Sequence, residues 1–367
     1  MKTIVLTGGP CAGKTTARNY LYEKLSDMGF SVIFMPEIPT LVINAGLDPR
    51  DPNKRFSRLE FQNFLLQLQI QSEEAFKKAL KIKGGEKRII IFDRGAMDFR
   101  AYTEPDEFKE ILRRNNWNIV QLRDERYDAV FHLVTAAEGA PEFYNLNNPA
   151  RLENPDQAKE TDCKTKQAWL GHPHLRVIDN STGFDDKMKR LLNEVRRTLG
   201  VPAAIETERK FLVTNAVTPD AIPVPMQIIE IEQFYIAGAS VRFRRRSQGC
   251  HGTVYYRTEK LDTDSPLSRI ETETQVTARE YYQALAQKNP ETDIIQKLRA
   301  CFLHQNQYFE LDIFINPARL RWLTLLEIEL TEENDKIEIP DWLLPVTEVT
   351  ADPRYKNFEL ARALPRR

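Results

Sequence analysis

The chain has 367 residues, enough for about two domains of ordinary size. It is 41% hydrophobic and 29% charged with a formal net charge of -1, so each half can build a core and no global polycation argues for nucleic acid. No apolar run reaches the roughly 18 residues of a membrane span, and M-K-T-I-V-L-T-G-G is too short for a secretory leader.

The cysteines Cys11, Cys163, Cys250 and Cys301 are scattered and form no C-x-x-C, which predicts a reduced, cytoplasmic protein. His172 and His174 with Cys163 match no common zinc spacing. No G-x-S-x-G nucleophile elbow occurs.

Residues 3–7, T-I-V-L-T, read as a short buried strand running into G-G-P-C-A-G-K-T-T. Gly8, Gly13, Lys14 and Thr15 complete G-x-x-x-x-G-K-[ST]. A helical pattern follows, with Ala17, Tyr20, Leu21, Leu25 and Met28 on one face and Gly29 at its end. That strand–loop–helix setting is what a phosphate-binding loop requires. Backbone N–H groups around Gly8, Gly9, Gly13 and Thr16 would wrap the phosphates, Lys14 would neutralise the β- and γ-oxygens, and Thr15 would hold Mg²⁺.

Further strands are expected at Ser31–Met35, Arg88–Phe92, Ala129–Val134 and Leu175–Ile178, with a helix over Leu59–Leu80. Strands alternating with helices predict an α/β domain with a parallel sheet over residues 1–200, its site at the strand C-termini. Asp93, closing R-I-I-I-F, is placed to hold Mg²⁺, with a structural cap as the alternative. Glu37 ends another strand and is a candidate base for an attacking hydroxyl, against a capping or positioning role. Arg151 and Lys159 lie in a polar, turn-rich segment that reads either as a lid over a γ-phosphate or as a solvated loop.

The motifs G-G-P-C-A-G-K-T-T, P-E-I-P-T, F-D-R-G, L-V-T-A-A-E-G-A, N-N-P-A-R-L-E and V-I-D-N together resemble a small P-loop kinase-like family over roughly residues 1–200. Nicotinamide-riboside kinases are relatives of that family, as is an animal family linked to photoreceptor channel trafficking. The resemblance implies ATP or GTP as ligand. No N-K-x-D guanine code occurs, so the base stays open.

From residue 205 the texture changes to strand-like segments with charge at period two. Glu206, Glu208 and Lys210 share a face, as do Arg242, Arg244 and Arg246; Thr258 and Lys260; and Arg269, Glu271 and Glu273. So do Lys297 and Arg299, Glu310 and Asp312, and Glu327 and Glu329. One polar face alone reads as solvated surface. Repeated like-charge pairs predict ligands between them, cations for the carboxylates and phosphates for the bases, inside a closed antiparallel sheet.

Glu206-x-Glu208-x-Lys210 and the ordered segments after it resemble CYTH domains, the triphosphate tunnel metalloenzymes, over roughly residues 203–363. The resemblance implies an α+β antiparallel tunnel barrel of eight strands over 203–367. It implies metal-binding carboxylates at Glu206, Glu208, Glu327 and Glu329, and a second acidic group at Glu271, Glu273 and Asp312. It implies a phosphate cradle of Lys210, Arg242, Arg244, Lys260, Lys297 and Arg299, with Lys210 and Lys260 counted as catalytic. Arg246 and Arg269 are read as rim residues. Mg²⁺ or Mn²⁺ suits such oxygen ligands. The chain is thus expected to be a two-domain phosphoryl-transfer protein: a kinase-like nucleoside-triphosphate-binding domain and a triphosphatase acting on inorganic or nucleoside triphosphate. The other expectation is a nucleotide switch whose tunnel holds a phosphorylated ligand, such as an anionic lipid headgroup, without cleaving it.

Overall fold

The structure, a computed structural model, describes residues 1–144, 153–202, 205–215, 217–237, 241–262, 268–321, 323–332 and 334–362, with backbone alone at 205, 206, 261, 262, 268 and 269. The expectation for Arg151 lies outside the described residues. Two compact units form, Met1–Leu192 and Asn193–Arg367.

The first unit alternates strand and helix: β1 (Lys2–Gly8), α1 (Lys14–Asp27), β2 (Ser31–Met35), α2 (Ile38–Asn44), α3 (Arg58–Lys83), β3 (Arg88–Asp93), α4 (Pro105–Asn115), α5 (Ile119–Arg123), β4 (Ala129–Leu133), α6 (Pro155–Ala168), β5 (Leu175–Ile178) and α7 (Phe184–Thr198), which runs on past Leu192. Local signals set the helix starts. Ser57 accepts from the Glu60 N–H at 3.2 Å and Glu60 Oε2 accepts from the Ser57 N–H at 2.7 Å, a capping box opening α3. Asn154 and Gln157 do the same before α6, with Pro155 in its first turn. The strands are parallel in the order β2-β3-β1-β4-β5. Ile89 to Phe92 are fully buried, as a two-face-covered parallel strand demands. Register sets Leu6 beside Asp93 and Gly8 beside Leu133, so the carboxyl ends of β1, β3 and β4 converge.

The second unit holds β6 (Ile205–Val213), β7 (Met226–Tyr235), β8 (Val241–Ser247), β9 (Thr253–Asp262), β10 (Ser268–Val276), α8 (Ala278–Leu285), β11 (Ile295–His304), β12 (Gln307–Asn316), β13 (Thr324–Glu329), β14 (Val346–Glu348) and α9 (Asn357–Ala361). Its strands form one nine-stranded antiparallel sheet, β10-β9-β8-β7-β11-β12-β13-β6-β14, and β10 pairs again with β6. The count corrects the expected eight. The ninth strand, β14, spans three residues against Phe211–Val213, too few to show an alternation in sequence.

One face of this sheet is apolar: Phe211, Ala300, Phe302, Phe309, Leu311, Leu326 and Ile328 form a buried cluster. Register carries the like-charge pairs whose side chains are described to the other face. Lys210 lies beside Glu327, Glu327 beside Glu310, Arg299 beside Asp312, Arg242 beside Thr258, and Thr258 beside Glu273. No helix among the described residues is long and apolar enough to cross a membrane.

Candidate functional sites

The first site is the loop from β1 to α1. Gly8 has φ 147, and a Cβ there would meet the Leu133 carbonyl oxygen at 2.2 Å, so only glycine fits. Gly13, in the left-handed region at φ 87, caps α1 and turns its first amides toward the loop. Lys14 Nζ donates to the Gly8 carbonyl at 3.3 Å. Burial, then the Arg94 charge, lower its pKa. Thr15 and Thr16 are exposed to the cavity in front of the loop.

Gly9 is used differently from its expected role. Its N–H donates to Asp162 Oδ1 at 2.8 Å, and Asp162 also accepts from the Thr135 N–H at 3.1 Å. His132 Nε2 at 3.0 Å and Lys166 Nζ at 3.2 Å complete the shell. Burial raises the Asp162 pKa, but these neighbours outweigh it and hold the carboxyl low. Asp162 thus braces the phosphate loop from α6.

Asp93 ends β3 at the cavity. Its Oδ1 is buried and accepts no hydrogen bond among the described residues, and burial raises its pKa. A divalent cation fits that oxygen, with the Thr15 hydroxyl nearby on the cavity wall. Glu37 follows β2. It pairs with Arg94 Nε, and its Oε2 accepts from Thr40 at 2.7 Å. Burial works to raise its pKa, yet Arg94 and Lys14 hold it down to about 2. The cavity encloses about 850 Å³. Its wall also includes Ile43, Phe61, Leu65, Phe99 and Tyr102. Lys159 is exposed on α6, 3.9 Å from Asp156.

The second site is the charged sheet face. Asp312 is fully buried and accepts from Lys297 Nζ, and from Arg299 at 2.7 Å on both oxygens. Arg299 also donates to Glu327 at 2.8 Å and to Glu310. Lys210 Nζ lies 2.7 Å from Glu327 and 3.6 Å from Glu208. Glu273 pairs with Arg244 and accepts from Thr258 at 2.9 Å. Glu271 pairs with Lys260 and sits 3.6 Å from Arg242. Burial opposes the charge on Lys210, but Glu208 and Glu327 outweigh it and raise the pKa. Lys210, Lys297 and Arg299 similarly outweigh burial and hold Glu327 well below the carboxylate range.

Acids and bases therefore interleave rather than separate into a metal set and a phosphate set. Among the described residues no three His, Cys, Asp or Glu side chains converge as a metal centre. Glu208 and Glu329 stand directly opposite across β6 and β13, with Lys210 Nζ 3.6 Å from Glu208. The Glu206 side chain lies outside the described residues, as does that of Arg269. Arg246, expected at the rim, is instead 2% exposed and on the charged face.

The sequence reading passed over Arg94 and Asp162 as site residues. Arg94 stood in the quoted F-D-R-G, and φ 72 at a non-glycine residue is visible only in the fold. Asp162 carried no local signal, since it acts on a glycine 153 positions away.

A family model described as an AAA domain matches residues 3–187. No curated protein matches the chain. Similar solved structures include the crystal structure of the inorganic triphosphatase NE1496, at 31% identity over 44% of this chain and 96% of that one, with a TM-score of 0.30. The crystal structure of the hypothetical protein NE1496 is similar at 29% identity over 44% and 99%, also with a TM-score of 0.30.

Proposed function

The chain belongs to the AAA domain family, and on that premise we propose that it joins a nucleoside-triphosphate-binding, kinase-like unit (residues 1–200) to a triphosphatase unit (203–367). In the first unit the observation that carries the reading is Asp93 Oδ1, buried beside the Lys14 loop and accepting no hydrogen bond among the described residues. The α1 amides and Lys14 bind the phosphates of ATP or GTP. The cavity, at about 850 Å³, leaves room for a hydroxyl acceptor, with water as the default acceptor. Thr15 and Asp93 would hold Mg²⁺ or Mn²⁺.

In the second unit the carrying observation is one buried sheet face bearing Lys210, Arg242, Arg244, Lys297 and Arg299 among carboxylates. The β10–β6 pairing supports reading that face as the lining of a tunnel. Glu208 and Glu329 would hold the metal there. A bound divalent ion supplies charge neutralisation of phosphate oxygens and a more acidic water. The basic residues bind a linear triphosphate and take up charge as the terminal phosphorus gains a water oxygen. The bridging P–O bond breaks toward diphosphate, and a proton leaves to solvent. The four free cysteines accord with a reducing, cytoplasmic setting.

The test is metal-dependent phosphate release from inorganic triphosphate, ATP and GTP. Glu327→Ala is expected to remove triphosphate hydrolysis and leave Lys14-dependent nucleotide binding; Lys14→Ala is expected to do the reverse. Retained triphosphate hydrolysis in Glu327→Ala sinks the tunnel reading. The interleaved ion pairs favour a second reading, a tunnel that binds a phosphorylated ligand or anionic lipid headgroup without turnover. Tight triphosphate binding with no release under any divalent metal would select it.

A further inference from the structure

Arg94 ties the end of β3 to the phosphate loop and lines the cavity in front of it. It follows Asp93 directly and takes φ 72, a left-handed conformation costly for any residue but glycine. Its N–H donates to the Leu6 carbonyl at 3.1 Å, which extends the β1–β3 register by one residue and locks the turn. That turn sends the side chain back beneath the phosphate loop instead of out to solvent. Nη1 donates to the Gly8 carbonyl at 3.3 Å, the same oxygen that Lys14 Nζ reaches at 3.3 Å. Two cations thus converge on one acceptor at the wall of the cavity, and Arg94 is only 8% exposed. Glu37 and Asp93 act on Lys14 with the opposite sign, yet both cations line the cavity, where an incoming phosphate would meet them.

We propose that Arg94 is a second phosphate-binding cation of the nucleotide site, acting with Lys14 on the γ-phosphoryl group, and that Glu37 is its positioning residue. The inference rests on the nucleotide-binding reading of the first unit. Glu37 grips Arg94 Nε and is itself fixed by Thr40. Both Glu37 oxygens are thereby engaged, one by Arg94 and one by Thr40, so Glu37 orients the guanidinium rather than deprotonating an acceptor. As γ-phosphoryl transfer proceeds, charge grows on the phosphate oxygens, and a planar donor held at the cavity wall would stabilise that charge.

The experiment uses the full chain with ATP and ADP in Mg²⁺, and GTP and GDP in parallel. Binding is measured at equilibrium, and turnover is taken as the part that Lys14→Ala removes. Arg94→Ala is expected to lower that turnover about 100-fold or more. Affinity for ADP, which lacks the γ-group, stays within about threefold of wild type, while ATP loses its advantage over ADP. Arg94→Lys restores part of the turnover. Glu37→Gln lowers turnover alone but adds nothing to Arg94→Ala, as a residue acting through another must. Three results overturn the proposal: Arg94→Ala turnover within about threefold of wild type, equal loss of ATP and ADP affinity, or additive Glu37 and Arg94 losses. Nucleotide binding indifferent to Lys14→Ala would instead refute the nucleotide site itself.

Discussion

Replacing Asp312 by Asn separates an ion-pair anchor from a metal ligand. Asp312 is fully buried and holds Lys297 and both ends of the Arg299 fork. Removing one member of a buried pair costs about 3–5 kcal/mol, because the partner stays buried and unanswered. Arg299 keeps Glu310 and Glu327, and Asn keeps one acceptor oxygen, so the loss should sit at the low end, about 3 kcal/mol. Lys297 suffers most. Burial lowers its pKa and Asp312 is the largest opposing influence. Without that carboxylate its pKa falls further, so the ammonium is lost as pH rises through a lower value. Triphosphate binding by Asp312→Asn should therefore weaken with rising pH more steeply than in wild type. Urea unfolding of the second unit and equilibrium binding of inorganic triphosphate across pH, at low and high Mg²⁺, measure both effects. A defect cured by raising Mg²⁺, or unchanged stability, refutes the reasoning and makes Asp312 a metal ligand.

Two further outcomes follow from the first unit. Gly8→Ala drives a Cβ to within 2.2 Å of the Leu133 carbonyl and should abolish nucleotide binding while lowering the melting temperature; unaltered ATP affinity would contradict the loop geometry. Asp162→Ala leaves the Gly9 and Thr135 amides buried without acceptor, at about 1–3 kcal/mol each, seen as a lower urea midpoint at neutral pH. The folded-state pKa of Asp162 is depressed, so its stabilisation is complete above the unfolded value of about 3.9 and is lost as pH falls below it. The wild-type advantage over Asp162→Ala should shrink in that acid range, and a gap constant down to about pH 3 would exclude the brace.

Much of both units follows from local chemistry. The phosphate loop is a contiguous motif whose glycines and Lys14 need only the flanking strand and helix, and β2, β3 and β5 begin where the apolar runs do. In the second unit a period of two is enough to place Glu208 with Lys210, and Lys297 with Arg299, on one face, since the pleat alone decides it. What each charge meets across the sheet is a matter of register. Arg299 meets Asp312 and Glu327, 13 and 28 positions away, and no local pattern encodes those separations. Assigning carboxylates to metal and bases to phosphate by type alone missed that they pair with one another. The same holds for Arg94, whose role needs Glu37 from the turn after β2 and Gly8 from β1. Local spacing determines which side chains share a face, because that is written in backbone geometry. Only the closed tertiary structure decides which charges neutralise each other, because burial sets the cost of leaving any one alone.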